Sequence, residues 1–162
     1  MLISETMNAR LNDQINFEQY SAHTYLGMAV ALESMGLRVL ADYFFKHAEE
    51  EREHAMKMIK YVLDVGGKVT MKAIAEPGGD WSSAENIAKQ TLDHELEVTR
   101  RINDLVALAE QEKDYATRSF LQWYVDEQVE EVSSAEYLLS LIKAAGPQQM
   151  LGVEHRVAQM LG

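Results

Sequence analysis

Four long stretches of this chain repeat apolar residues at alternating steps of three and four, and each breaks its apolar stripe near the midpoint with a glutamate. The first, Glu5 to Ser34, runs through Leu11, Ile15, Glu18, Ala22, Tyr25, Ala29 and Leu32. The second, Leu37 to Val65, runs through Leu40, Phe44, His47, Glu51, His54, Met58, Tyr61 and Val65. The third, Ser82 to Gln111, carries Ala84, Ala88, Thr91, Glu95, Val98, Ile102, Leu105 and Ala109. The fourth, Asp114 to Ala145, carries Leu121, Tyr124, Gln128, Glu131, Ala135, Leu138 and Ile142. That period belongs to helices burying one face. An isolated carboxylate on such a face costs several kcal/mol unless it is paired or bound to a metal. No Lys or Arg occupies any of these seam positions. The compensating positive charge must come from outside the chain.

The connections set the topology. The only prolines, Pro77 and Pro147, lie outside the four stretches, and Gly36, Gly66-Gly67 and Gly146 fall where helix C-termini are expected. Ser82-Ser83-Ala84-Glu85 reads as a capping box and Asp114 as an N-cap. The breaks at Met35-Gly36 and before Asp114 are short, so each joins antiparallel neighbours. The segment 66–81 is long for a connection inside a compact domain. It can extend ~50 Å, more than the ~42 Å of a helix of ~28 residues, so it can cross the bundle and leave the second and third helices parallel. The expected fold is all-α, a four-helix bundle with one long crossover at 66–81 and a short fifth helix at 147–161. Met150, Leu151, Val157, Met160 and Leu161 give that last helix an apolar character suited to assembly.

Composition narrows the function. The 162 residues suffice for one domain with a real core, and 47% hydrophobic content argues against disorder. No apolar run approaches the ~18 residues of a membrane span, and no signal-peptide pattern is present. A cytoplasmic protein is expected, without membrane attachment. The absence of cysteine removes disulfides, thiolate metal sites and iron–sulfur clusters. A net charge of −11 disfavours nucleic acid and suits cations.

Glu18, Glu51, Glu95 and Glu131 lie near the midpoints of their helices, and midpoints meet whichever way helices run. His54 sits one turn after Glu51 on the same face, and Gln128 one turn before Glu131. Four carboxylates match the charge of two divalent cations, and oxygen ligands with one imidazole suit Fe²⁺, Mn²⁺ or Zn²⁺. Glu51 is the natural bridge, with Glu18 and His54 completing one metal's ligands and Glu95 and Glu131 the other's. Tyr25 reaches the cluster through its hydroxyl, and Gln128 offers an amide to a bound water or to oxygen. His23, His47, His94 and His155 have no partner at helical spacing and are assigned structural or surface roles.

These residues resemble a known family. The runs Asn12-Asp13-Gln14-Ile15-Asn16-Phe17-Glu18 leading to Tyr25, Glu50-Glu51-Arg52-Glu53-His54-Ala55, His94-Glu95 and Phe120 to Glu131 are similar to those of bacterial non-haem ferritins, and the resemblance spans the whole chain. It implies one ferritin-like di-iron domain over 1–162. It further implies a first iron site at Glu18, Glu51 and His54, and a second at Glu51, Glu95 and Glu131. Glu50, Glu127 and Glu130, with Glu131, match a third iron position. The resemblance also implies oxidation of Fe²⁺ by oxygen or peroxide and storage of ferric oxyhydroxide in a homo-oligomeric shell of 24 subunits. Arg52 stands near where bacterioferritins place their haem-ligating methionine, so no haem is expected. Arg118 and Leu121 stand where animal ferritins line a channel with acids, so iron access there is not expected to follow that pattern. Two other readings compete: a di-iron peroxidase or oxidase on the same bundle that stores nothing, and a helical interaction protein with solvated glutamates.

Overall fold

The computed structural model describes all of residues 1–162 and contains helices without strands. α1 spans Glu5–Ser34, α2 Arg38–Asp64, α3 Ala84–Glu112 and α4 Tyr115–Ala145; a 3-10 turn at Pro147–Gln149 leads into α5, Met150–Leu161. No helix is long and apolar enough to cross a membrane.

Two apolar clusters fix the helix directions. One gathers Met7, Leu11 and Ile15 from the start of α1 with Met58 and Val62 from the end of α2, Ile102 and Leu105 from the end of α3, and Leu121 from the start of α4. The other gathers Met28 and Leu32 with Leu40 and Phe44, Ile87 and Ala88, Leu138 and Ile142. α2 and α3 therefore both run from the second cluster to the first, parallel to each other, and the crossover is real. Between the clusters lies the layer of polar seam residues.

Helix ends follow local hydrogen bonding. The Ser4 hydroxyl accepts from the Met7 amide, and the Asp114 carboxylate accepts from the Thr117 amide, as N-caps do. α3 begins one residue later than the expected capping box. Ser83 is its cap, accepting from the Asn86 amide, and the Asn86 side chain turns away to Asp80 at 2.8 Å. α2 has no cap of its own; Glu154 of α5 accepts from the Leu40 amide at 2.8 Å and fills that role.

The crossover has no helix between 67 and 83, so its backbone groups need partners. Asn8, Asn12 and Asn16 supply them at helical spacing along α1. Asn8 accepts from the Lys68 amide, Asn12 donates to the Lys68 carbonyl and accepts from the Thr70 amide, and Asn16 donates to the Ala73 carbonyl. The far end is pinned by Trp81, whose ring lies so close to Gly27 that a Cβ there would sit 2.6 Å from it. The Trp81 indole N–H donates to Gln90.

α5 divides its apolar residues between two tasks. Val153 and Val157 are buried against the bundle, so Val157 is not free for assembly as expected. Leu151 is 87% exposed and Met160 41%.

Candidate metal centre

Each helix delivers its central polar residues to one buried layer. Glu18 comes from α1, Glu51 and His54 from α2, Glu95 from α3, and Gln128 and Glu131 from α4; all six are buried. His54 Nδ1 lies 3.2 Å from Glu51 Oε2 and 4.0 Å from Glu18 Oε2. One ligand atom from each of these three residues falls within 4.8 Å of the others, a spacing that fits a metal ion. The His54 backbone carbonyl accepts from the Tyr124 hydroxyl at 2.7 Å, tying α2 to α4 at the site. Glu95 is gripped on both oxygens. The Tyr25 hydroxyl donates to Oε1, and the Gln128 amide donates to Oε2 at 3.0 Å while also reaching the Glu95 carbonyl and Thr99.

The electrostatics show a centre short of positive charge. None of the four central glutamates pairs with a Lys or Arg. Burial holds all four well above or above the ordinary carboxylate range. Mutual repulsion adds to this, from Glu51 on Glu18, from Glu95 and Glu131 on Glu51, and from Glu18 on Glu95. The bonds from Tyr25 and Gln128 pull Glu95 part of the way back. Glu131 is pushed up to about 9 by burial and then by Glu95, Glu50 and Glu127. Glu18 Oε2 is the single buried side-chain polar atom with no hydrogen-bond partner. Such a layer holds protons when empty and releases them to a cation, because metal ligands bind deprotonated.

A second group stands beside the first. His47 Nδ1 lies 3.5 Å from Glu131 Oε2 and 3.7 Å from Glu50 Oε2, again within a metal's reach. These residues line a pocket of about 240 Å³ with Glu127 and the exposed Glu130, and Met160 and Leu161 of α5 form part of its wall. Glu127 Oε1 also lies 3.9 Å from His54 Nε2, so the two groups are continuous. Burial lowers His47 to about 4, leaving a neutral imidazole with a lone pair to offer.

His47 is thus not the isolated residue its spacing suggested. Its position on the α2 seam, one turn before Glu50 and Glu51, was the available signal; its partner Glu131 comes from another helix. Gln14, to which spacing alone assigned no role, lies one turn before Glu18 and its amide donates to Glu18 Oε1 at 2.8 Å. His94 turns aside from the layer, bonded to Ser21 at 2.7 Å and stacked on Phe17.

A four-helix bundle with one crossover and a carboxylate–histidine layer at its centre defines a helical protein whose core could hold a metal. The comparisons place it within that class. Residues 8–145 match the Ferritin family, described as a ferritin-like domain. The chain is 39% identical over 145 residues to the bacterial non-heme ferritin of Staphylococcus aureus (strain USA300), covering 90% of this chain and 87% of the relative. It is 37% identical to that of Staphylococcus haemolyticus (strain JCSC1435), with the same coverage. Among solved structures, the open pore ferritin from the hyperthermophilic archaeon Archaeoglobus fulgidus superposes with a TM-score of 0.93 at 42% identity over 96% of each chain. A closed form of that ferritin, engineered by site-directed mutagenesis, superposes at 0.92 with 42% identity over 96% of each chain. The chain belongs to the ferritin family, and its curated relatives are bacterial non-haem ferritins.

Proposed function

We propose that this chain is an iron-storage ferritin subunit that oxidises Fe²⁺ to Fe³⁺ at a paired site within one subunit. The observation that carries this reading is the buried layer itself: four carboxylates from four helices, none paired with a cation, one oxygen without any partner. Iron is the substrate. Glu18 and His54 hold one Fe²⁺, Glu95 and Glu131 the other, and Glu51 lies between them. Each iron gives up one electron, so a paired site can pass two to oxygen or peroxide at once. Tyr25 and Gln128 fix Glu95 in place, and Gln128 keeps an amide near the oxidant. Carboxylates that lose protons on binding Fe²⁺ make uptake steeper at higher pH.

Glu50, Glu127, Glu130 and Glu131, joined by His47, form a third and weaker iron position through which oxidised iron leaves the pair. Residues 1–162 act as one ferritin-like domain, and 24 of these 18.4 kDa chains close a shell that holds ferric oxyhydroxide. We place the particle in the cytoplasm.

The test is anaerobic soaking of crystals with Fe²⁺ followed by anomalous scattering at the iron edge. Two strong peaks among Glu18, Glu51, His54, Glu95 and Glu131, with a weaker one beside His47 and Glu50, are expected. Peaks elsewhere in the chain would refute the assignment. Size-exclusion chromatography and oxygen uptake then separate a storage shell from a small di-iron peroxidase.

A further inference from the structure

Glu18 differs from its companions in how its two oxygens are treated. Oε1 accepts from the Gln14 amide at 2.8 Å, while Oε2 receives no bond from any N–H or hydroxyl, and the Glu51 carboxyl stands close enough to share a proton with Glu18. Oε2 is the oxygen that lies 4.0 Å from His54 Nδ1, inside the Glu18, Glu51 and His54 group. Glu95, by contrast, has both oxygens engaged by Tyr25 and Gln128. A free carboxylate turns readily about its last torsion, and either oxygen, or both, can face a metal. A hydrogen bond to one of them ends that equivalence.

We infer that Gln14 is a positioning residue for iron: its amide anchors Oε1 so that Glu18 presents Oε2 alone to the metal shared with Glu51 and His54. This rests on the paired-site reading given above. Gln14 and Glu18 are four apart on α1 and therefore share a face, and Gln14 is itself only 2% exposed. The choice of an amide has a chemical reason. A Lys there would neutralise Glu18 and remove the demand for a cation, and a Glu would add a competing ligand. A neutral donor orients the carboxylate without changing the charge of the layer. Single-oxygen ligation by Glu18 leaves a coordination position on the first iron for the oxidant. Gln14 borders a pocket between α1 and α3 lined by Arg10, Asp13, Arg100, Arg101 and Asp104, but its side chain is buried, so Glu18 is its partner on the layer side.

The test uses Co²⁺, whose visible absorption reports coordination number and which needs no turnover. The full-length chain, Gln14→Met, Glu18→Gln and the double variant are titrated with Co²⁺ after their melting curves show them folded. Gln14→Met is expected to weaken the first Co²⁺ by about 10-fold, in the range typical for partners that orient a ligand, and to change the spectrum as Glu18 swings or chelates. In the Glu18→Gln background the same change should have no further effect. Should Gln14→Met fail to fold, Gln14→Leu removes the donor at similar volume without adding a ligand and must also lose the parental spectrum. Parental spectrum and affinity in either folded variant would overturn the inference, and so would effects that simply add in the double variant. Absence of Co²⁺ binding in the parent chain would overturn both it and the paired site.

Discussion

Glu131 has the most telling environment of any single residue, because it stands beside His47 and Glu50 and also feels the charge of Glu95. Its pKa is raised, so its contribution to folding is fully present while its unfolded form is also protonated, below about 4.5, and is lost as pH rises through about 9. Glu18, Glu51 and Glu95 are raised in the same direction and act in the same sense. The metal-free protein should therefore melt at progressively lower temperature as pH climbs across that window. Glu131→Gln should flatten the slope, and each kcal/mol recovered is worth about 2–4 °C in a chain of this size. A pH-independent melting temperature in the metal-free protein would contradict burial of these acids. In the proposed reaction Glu51 has the central place. Glu51→Ala removes the carboxylate proposed to lie between two irons and should slow Fe²⁺ oxidation, followed by stopped-flow absorbance, beyond the roughly 100-fold that losing a mere orienting partner costs.

Among the elements, the crossover depends most on side chains that have no repeat of their own. Asn12→Ala takes the side-chain partner from the Thr70 amide and leaves the Lys68 carbonyl to Asn8 alone, a cost of about 1 kcal/mol, and should expose the segment to proteases well before the helices open. Denaturant midpoints and limited proteolysis read the two effects. The apolar seams and the matched depth of the four acids were legible from the chain alone, because a helix converts spacing directly into facing. The length of the crossover was legible too. What secures it was not, since asparagines at steps of four mean nothing until an extended backbone lies beside them. The same holds for His47, whose partner Glu131 is on another helix, and for Ser83, chosen over Ser82 once Asn86 had turned to Asp80. α5 turns Val153 and Val157 to the bundle and Leu151 and Met160 to solvent. Val157→Ala should cost about 2 kcal/mol of subunit stability, as expected for a buried Val. Leu151→Asp should leave the melting temperature in place but alter particle size in chromatography, since Leu151 touches solvent and not its own bundle.

For the molecule as a whole, metal and fold are linked. A divalent ion that binds only the native layer adds about 2.7 kcal/mol at 100 times its dissociation constant, or roughly 5–10 °C in melting temperature for a chain this long. Zn²⁺ and Co²⁺ show this without oxidation, and equal melting curves with and without them would argue against a native metal site. The two apolar clusters give that linkage a direction along the bundle. Each is a core in its own right, with Met7, Leu11 and Met58 at one end and Leu32, Leu40 and Phe44 at the other. The four helices run through both, and the carboxylate layer between them is the place where like groups crowd. Amide hydrogen exchange should accordingly find two protected blocks separated by a faster-exchanging waist around Glu18, Glu51, Glu95 and Glu131. A divalent ion bound at the waist should merge the blocks into a single cooperative unit, so that exchange there slows to the rate of its flanks.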